Sequence, residues 1–222
     1  MMANSIEKAR FNMVEQQIRP WDVIDPRVLS LMESLPREHF APENYQDLAY
    51  ADIEVPIGQG QHMLFPRIEA RLLQSLNILP TDKVLEVGTG SGYLTACLAS
   101  LSQHVVSIDL HNDFIDSAAL KLEQQGIKNV TLKSGDALAD PLEEGPFDAI
   151  AVTGSVPTSE QAELFRQQLA VGGRLFIIIG NPPVMECMLI TRHTEKIFQE
   201  ESIFETELAP LINAPAPVEF EF

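Results

Sequence analysis

Apolar residues follow two alternating spacings from about residue 67 onward. Short apolar runs typical of buried strands alternate with segments whose apolar residues recur every three or four positions, as on one face of a helix. Such an alternation predicts a parallel sheet joined by right-handed crossover helices. The predicted strands are Val84–Val87, Val105–Ile108, Val130–Leu132, Ala149–Val152 and Leu175–Ile179, and the predicted helices between them are Tyr93–Leu101, Asn112–Gln125 and Ser159–Leu169.

The two ends of the chain differ from this central pattern. Ser5–Gln17 and Pro26–Ser34 have helical spacing, whereas the stretch from Leu35 to Pro66 is rich in proline and glycine and is predicted to be mostly loop. Strand-like stretches at Met185–Thr191 and Val218–Phe222 follow the last predicted helix, so they can pair only as hairpins or edge strands.

Together these patterns predict an α/β fold with a doubly wound, mostly parallel, Rossmann-like sheet, an antiparallel C-terminal end and an N-terminal helical cover. The length of 222 residues suits a single domain. We expect residues 1–66 to form the helical and loop cover and residues 67–222 to form the α/β core.

The charge and hydropathy of the chain argue against nucleic acid and membranes as partners. The formal net charge is −17, and a protein this acidic repels phosphate backbones, so we expect no nucleic-acid partner. No apolar run reaches the roughly 18 residues that a membrane helix needs, and the N-terminus lacks the apolar core of a signal peptide. We therefore expect a cytoplasmic protein without a membrane partner, and the oligomeric state stays open.

Cysteine and histidine spacing gives no indication of a metal site. Cys97 and Cys187 are isolated, and the five histidines are scattered. Neither residue type shows the spacing of a zinc site or a disulfide framework, so we predict no metal.

The predicted strand Val84–Val87 leads into a glycine-rich turn, Gly88-Thr89-Gly90-Ser91-Gly92, and then into a helix. Glycines let a backbone turn tightly against a ligand, and a helix N-terminus offers free N–H groups to an anion. Asp109 ends the next apolar run, close to the roughly 20-residue separation expected for a ribose-binding carboxylate. Each feature alone has a conformational explanation, such as helix capping by Asp109, but together they favour a nucleoside cofactor.

The spacing of the glycines in the turn distinguishes a dinucleotide from other nucleoside cofactors. A dinucleotide fingerprint needs a third glycine where Tyr93 stands, so a dehydrogenase is disfavoured. With Glu86 before the glycines, the turn resembles the first motif of S-adenosylmethionine-dependent methyltransferases, and Asp136 stands where their pattern places an acid near adenine. The resemblance implies S-adenosyl-L-methionine as cofactor, held by Glu86, Gly88, Thr89, Gly90, Gly92, Asp109, Leu110, Asp136, Ala137 and Thr153.

Other segments narrow the resemblance to one family. Leu35–Pro42, Ala49–Asp52 and Val55–Gln61 are similar to the region before the cofactor domain in protein-L-isoaspartate O-methyltransferases, as are Pro146–Pro157 and Gly172–Leu175 farther along the chain. This resemblance implies transfer of a methyl group to the carboxylate of an isoaspartyl residue in a damaged protein or peptide, the first step of its repair. Because a carboxylate with a pKa near 4 is already ionised at neutral pH, we expect no general base and assign no catalytic residue.

The acceptor loop departs from the family pattern. The family sequence Gln-Thr-Ile-Ser-Gln-Pro corresponds here to Gln61-His62-Met63-Leu64-Phe65-Pro66, so Leu64 stands where a serine at the reacting centre is expected. Leucine cannot donate a hydrogen bond to a carboxylate. Gln61, His62, Met63 and Leu64 are therefore the candidate acceptor loop. His62 is either a base, a donor to the acceptor or a loop residue without a chemical role, and Ser155 is a candidate source of the missing hydroxyl.

Three functions stay open from the sequence. In the first, the loop is a tolerated variant and the family activity is intact. In the second, the acceptor is a different protein or a small molecule. In the third, the chain binds the cofactor without catalysis. An anionic acceptor approaching a chain of net charge −17 needs local positive charge. Arg37 and Arg67 are the cations nearest in sequence to the loop, and we expect them to supply that charge.

Overall fold

The structure is a computed structural model that describes residues 2–139 and 141–215, with side chains from residue 5 onward. The strands are β1 (Val55–Gly58), β2 (Gln61–Met63), β3 (Lys83–Val87), β4 (His104–Asp109), β5 (Val130–Ser134), β6 (Phe147–Val156), β7 (Leu169–Asn181), β8 (Val184–Arg192) and β9 (Phe198–Glu205). In the described residues β1 and β2 form a hairpin, and the other seven form one sheet in the order β5-β4-β3-β6-β7-β8-β9.

The α-helices are α1 (Met2–Met13), α2 (Pro26–Ser34), α3 (Pro66–Leu76), α4 (Tyr93–Leu101), α5 (Asn112–Gln124) and α6 (Ser159–Arg166). Their ends follow local chemistry. Asp25 caps α2 by accepting the Arg27 N–H at 2.8 Å, and Asn77 ends α3 in a left-handed conformation. Among the described residues, no helix combines the length and the apolar character needed to cross a membrane.

The direction of the strands follows the connections between them. Strands β3 to β7 pair in parallel, with crossovers through α4, α5 and α6. Strands β8 and β9 add antiparallel partners after the last helix. The doubly wound, mostly parallel sheet with an antiparallel end is therefore confirmed.

In the part of the chain that the structure describes, two apolar cores cover the two faces of the sheet. Neighbouring strand residues alternate between them, so Val84 of β3 lies in one core and Leu85 lies in the other. The first core also takes buried side chains from α2, α3 and α4, together with Val14 and Ile18 of the short π-helix Val14–Ile18 that follows α1. The second core takes Ala162 and Phe165 of α6. The predicted N-terminal cover is thus packed on one face of the sheet.

Some elements differ from the sequence prediction. The stretch from Leu35 to Pro66, expected to be mostly loop, contains two short 3₁₀ helices and the β1-β2 hairpin. Strand β9 was not predicted, because most of its residues are exposed and its acidic side chains break the apolar pattern. The predicted strand Val218–Phe222 lies outside the described residues.

Candidate functional site

A cavity of about 490 Å³ lies at the carboxyl ends of β3, β4 and β6. The strand order reverses here, since β4 and β5 lie on one side of β3 while β6 and β7 lie on the other. Ligands of open α/β sheets bind in the crevice at such a reversal. The volume also falls within the roughly 300–1,000 Å³ of small-molecule pockets, so this cavity is the candidate site.

The glycine turn after β3 borders the cavity. A Cβ atom on Gly88, whose φ is +96°, would lie 2.1 Å from Thr153 Oγ1 of β6. A Cβ atom on Gly92 would lie 2.9 Å from the Cβ of Ala118 in α5. Gly88, Thr89 and Gly90 line the cavity, whereas Gly92 is not among the lining residues and lets α4 begin close to α5. Some glycines of the turn therefore allow close packing against α5, and others leave the backbone exposed to the cavity.

Asp109, at the end of β4, lies beside the glycine turn and lines the cavity. Its Oδ2 accepts the Gly90 N–H at 2.9 Å, and its Oδ1 accepts the His111 N–H at 2.9 Å. These two bonds fix the carboxylate in one orientation. Each oxygen has a second lone pair, so the group can still accept hydrogen bonds from the hydroxyls of a ligand. Leu110, next in sequence, also lines the cavity.

Three further predicted cofactor residues line the cavity. The N–H group of Gly135 donates to the Asp109 carbonyl at 2.9 Å, which holds Asp136 and Ala137 beside that carboxylate. Asp136 Oδ1 accepts the Leu138 N–H at 2.9 Å. On β6, the Thr153 hydroxyl lies 2.9 Å from the Val87 carbonyl oxygen and supports the glycine turn.

Glu86, in contrast, lies behind the turn and not among the lining residues. Its side chain is fully buried, and its Oε2 accepts hydrogen bonds from the Thr95 and Ser107 hydroxyls. The Ser107 Oγ is in turn 2.6 Å from the Thr89 Oγ1. Burial raises the pKa of Glu86 to about 8. The structure therefore places this predicted residue one layer below the site, connected to it through Ser107.

The polar atoms of the cavity fit the cofactor that the sequence predicts. His111, which sequence reasoning missed, lines the cavity, and its Nε2 is buried without a hydrogen-bond partner in the described part of the chain. Because an unpaired buried polar atom is destabilising, a ligand that offers a partner would bind favourably. Asp109 and Asp136 add acceptors for hydroxyl and amino groups, and Leu110 and Phe114 add apolar surface for a ring.

The predicted acceptor loop forms the other side of the same cavity. Gln61, His62 and Met63 are β2 of the hairpin, and Leu64 follows directly, with all four residues lining the cavity. Leu64 is buried and His62 is exposed. The structure thus brings the loop and the glycine turn together, although they are distant in the sequence.

The expectation for the two arginines is wrong. Arg37 is fully buried, pairs with Glu69, and donates to the carbonyl oxygens of Ala49 at 2.8 Å and Leu64 at 2.7 Å. Arg67 pairs with Asp52, and its guanidinium lies over aromatic rings. Neither guanidinium lines the cavity. Both are held by partners that compensate their charge, so neither is available to an acceptor.

Ser155 does not supply a hydroxyl to the cavity. Its side chain is buried and its Oγ donates to the Leu208 carbonyl at 2.9 Å. Residues after β9, from Glu207 to Ile212, line the cavity instead. Sequence reasoning missed them, because no motif marks a segment whose position depends on contacts with a distant strand.

The ionisable residues that line the cavity are mostly acidic. They include no lysine or arginine among the described residues; they are Glu54, His62, Glu69, Asp109, His111, Asp136 and Glu207. No group of histidine, cysteine and acidic residues in the described ranges could hold a metal ion. A cavity of this charge favours a ligand with a positive centre.

Sequence comparison identifies relatives over most of the chain. The sequence model of the protein-L-isoaspartate (D-aspartate) O-methyltransferase family matches residues 8–214. A protein-L-isoaspartate O-methyltransferase from Koribacter versatilis (strain Ellin345) is 37% identical over 208 residues, covering 94% of this chain and 91% of that protein. Another from Syntrophus aciditrophicus (strain SB) is 39% identical over 196 residues, covering 88% and 89%.

Solved structures share the fold. A Plasmodium falciparum protein described as a protein-L-isoaspartate O-methyltransferase, crystallised with S-adenosyl-L-homocysteine, matches with a TM-score of 0.77 and 24% identity over 93% of this chain and 97% of that one. A second structure with the same description has a TM-score of 0.77 and 23% identity, covering 92% and 65%. The Rossmann-like fold predicted from the sequence is therefore confirmed.

Proposed function

This chain belongs to the protein-L-isoaspartate (D-aspartate) O-methyltransferase family, and we propose that it transfers a methyl group from S-adenosyl-L-methionine to the free carboxylate of isoaspartyl residues in damaged proteins or peptides. The match over nearly the full length of relatives named for this acceptor favours it over a different protein or a small molecule. A cytoplasmic location, expected from the sequence, stays a prediction.

One observation carries the proposal. A single cavity is bordered on one side by the glycine turn and Asp109, and on the other by the hairpin loop from Gln61 to Leu64. Methyl transfer requires donor and acceptor to meet in line within one site shielded from water. The shared cavity places the residues predicted for donor and acceptor around one space, which supports the proposal.

Different residues of the cavity would bind different parts of the cofactor. When bound, S-adenosyl-L-methionine supplies a methyl group activated by a sulfonium. Asp109, held by two backbone N–H groups, would accept the ribose hydroxyls, and Asp136 would accept from the adenine end. The unpaired His111 Nε2 would gain a partner. No residue needs to remove a proton, because the acceptor carboxylate is ionised at neutral pH.

A matched pair of peptides tests the proposal. Labelled S-adenosyl-L-methionine is incubated with the protein and either an isoaspartyl peptide or the aspartyl peptide of the same sequence. We expect a base-labile methyl ester on the isoaspartyl peptide alone. Transfer only to another component of a cell extract would support the different-acceptor alternative, and cofactor binding without any transfer would support a non-catalytic homologue.

Leu64→Ser tests the role of the altered loop, with Leu64→Ala as the matched control. Both variants remove the apolar side chain, but only serine adds a donor for the acceptor carboxylate. We expect serine to raise kcat/KM for the isoaspartyl peptide about three- to tenfold over alanine, the value of one hydrogen bond. Equal kcat/KM for the two variants would show that the carboxylate does not reach position 64.

A further inference from the structure

The segment Leu208–Asn213, which we call the C-terminal strap, is fastened to the end of β6. The Ser155 N–H donates to the Ala209 carbonyl at 3.0 Å, and the Leu211 N–H donates to the Ser155 carbonyl at 2.8 Å. The Ser155 hydroxyl adds a third bond, to the Leu208 carbonyl at 2.9 Å. Ser155 alone thus forms hydrogen bonds with three residues of the strap: Leu208, Ala209 and Leu211.

Gly154 makes room for this fastening. A Cβ atom at Gly154 would lie 2.6 Å from Leu211 Cδ2. The φ of this glycine is not positive, so its lack of a side chain serves the contact and not the backbone conformation. Gly154 and Ser155, which are neighbours on β6, therefore both contact the strap.

From Ser155 the strap reaches the opposite side of the cavity. The Asn213 Nδ2 donates to Asp136 Oδ2 at 2.9 Å. Ser155 lies on β6 and Asp136 follows β5, and the order β5-β4-β3-β6 places two strands between them. The strap therefore crosses the carboxyl ends of β3 and β4, where Gly88 and Asp109 line the cavity.

We propose that Asn213 is a positioning residue that holds the Asp136 carboxylate toward the cofactor, and that Ser155 and Gly154 fix the strap in the position that allows it. Asp136 has one oxygen bound to the Leu138 N–H and the other bound to Asn213, so the strap sets the rotation of its carboxylate. This inference rests on the proposed use of the cavity for S-adenosyl-L-methionine.

Asn213→Asp is the test variant, and binding of S-adenosyl-L-homocysteine, measured by calorimetric titration, is the readout. Asn213 has a φ of +70°, and aspartate tolerates that conformation about as well as asparagine, so the variant keeps the backbone conformation. It replaces the donor by a second carboxylate, which repels that of Asp136. We expect the Kd to rise about tenfold, as for loss of one hydrogen bond to a charged group. Asn44→Ala, at an exposed site outside the cavity, should leave the Kd unchanged.

A double-mutant cycle separates positioning from a direct contact. In an Asp136→Ala background, Asn213→Asp should have no further effect on the Kd, because Asn213 acts through Asp136. An unchanged Kd for Asn213→Asp alone, or an equal effect in both backgrounds, would overturn the proposal. Because this titration needs no acceptor, it stays informative even if no methyl ester forms on the isoaspartyl peptide.

Gly154→Ala tests the strap from its other end. The added methyl group displaces Leu211, so we expect the Kd for S-adenosyl-L-homocysteine to rise severalfold, and Leu211→Ala in the same chain to restore part of the affinity. If Gly154→Ala leaves the Kd unchanged while the variant is folded by circular dichroism, the position of the strap does not matter for the cofactor and the proposal is wrong.

Discussion

At the scale of single residues, Gly88 and Gly172 share a backbone conformation but differ in their surroundings. Their φ angles are +96° and +87°, and a Cβ at Gly172 would meet no atom within 4 Å. We expect Gly172→Ala to lower the free energy of unfolding by about 1–2 kcal/mol, the cost of a left-handed residue with a side chain. Gly88→Ala should lower it by about 3–5 kcal/mol, because the clash with Thr153 adds to that cost.

Urea denaturation of both variants measures the difference. Thr153→Ala in the Gly88→Ala chain removes the Oγ1 atom that the new Cβ would meet, and should recover part of the stability. Equal losses for the two glycine variants would mean that only backbone conformation matters at Gly88.

Glu86 gives a pH dependence of stability. Burial raises its pKa from 4.5 to about 8 in the folded protein. Between about pH 4.5 and 8 the unfolded chain ionises this group while the folded protein keeps the proton, so its contribution to stability is present below this window and is lost as the pH rises through it. Relative to Glu86→Gln, we expect the wild-type free energy of unfolding to fall by about 1 kcal/mol per pH unit across the window.

Denaturation of both proteins at several pH values between about 5 and 9 gives this difference. Glu123→Gln, on the exposed side of α5, is the matched control substitution, measured at the same pH values. A constant difference between wild type and Glu86→Gln at all pH values would show that Glu86 is ionised in the folded state.

At the scale of elements, the buried side chain of Arg37 connects α3, α4 and the residue Ala49 to Leu64 of the acceptor loop. Its guanidinium pairs with Glu69 of α3, binds the carbonyl oxygens of Ala49 and Leu64, and lies 4.8 Å from the centre of the Tyr93 ring of α4. Arg37→Met leaves Glu69 buried without its charged partner, so we expect the free energy of unfolding to fall by about 3–5 kcal/mol.

Urea denaturation of two further variants tests whether the loss of stability comes from the buried unpaired charge. Arg37→Met with Glu69→Leu should regain part of the stability, since no unpaired charge stays buried. Arg19→Met, which breaks the exposed pair with Glu15, should cost less than about 1 kcal/mol. A loss for Arg37→Met no larger than that for Arg19→Met would contradict the structural role of the buried pair.

At the scale of the whole molecule, charge governs the approach of the acceptor. The net charge is −17, and the cavity is lined by carboxylates such as Glu54 and Glu207, with no lysine or arginine among the described lining residues. An anionic isoaspartyl group is therefore repelled unless its peptide brings positive charge. We expect kcat/KM to be about tenfold higher for an isoaspartyl peptide flanked by lysines than for the same peptide flanked by glutamates at low salt.

Salt provides the control for this prediction. Raising the ionic strength should bring the two kcat/KM values together, because screening weakens long-range attraction and repulsion. Glu207→Gln should reduce the preference for lysine, whereas Glu43→Gln, in a 3₁₀ helix outside the cavity lining, should leave it nearly unchanged. A preference that is insensitive to salt would point to specific contacts instead of overall charge.

The alternation of strands and helices, the glycine turn and Asp109 could be predicted from the sequence, because their signals are local. A buried strand needs a run of apolar residues, and a tight turn against a neighbouring strand needs glycine at a position such as Gly88. The same local logic missed β9, whose exposed residues carry no apolar pattern, since its place is set by pairing with β8.

The sequence by itself determined the fold class and one side of the cavity, because periodicity and turn chemistry act between residues that are close along the chain. Only the tertiary structure decided which charges are free and which distant segments meet. Arg37 is paired with Glu69 and hydrogen-bonded to two carbonyl oxygens, and the strap contacts Asp136 through Asn213. Such pairings depend on how packed elements bring remote residues together, which no local spacing encodes.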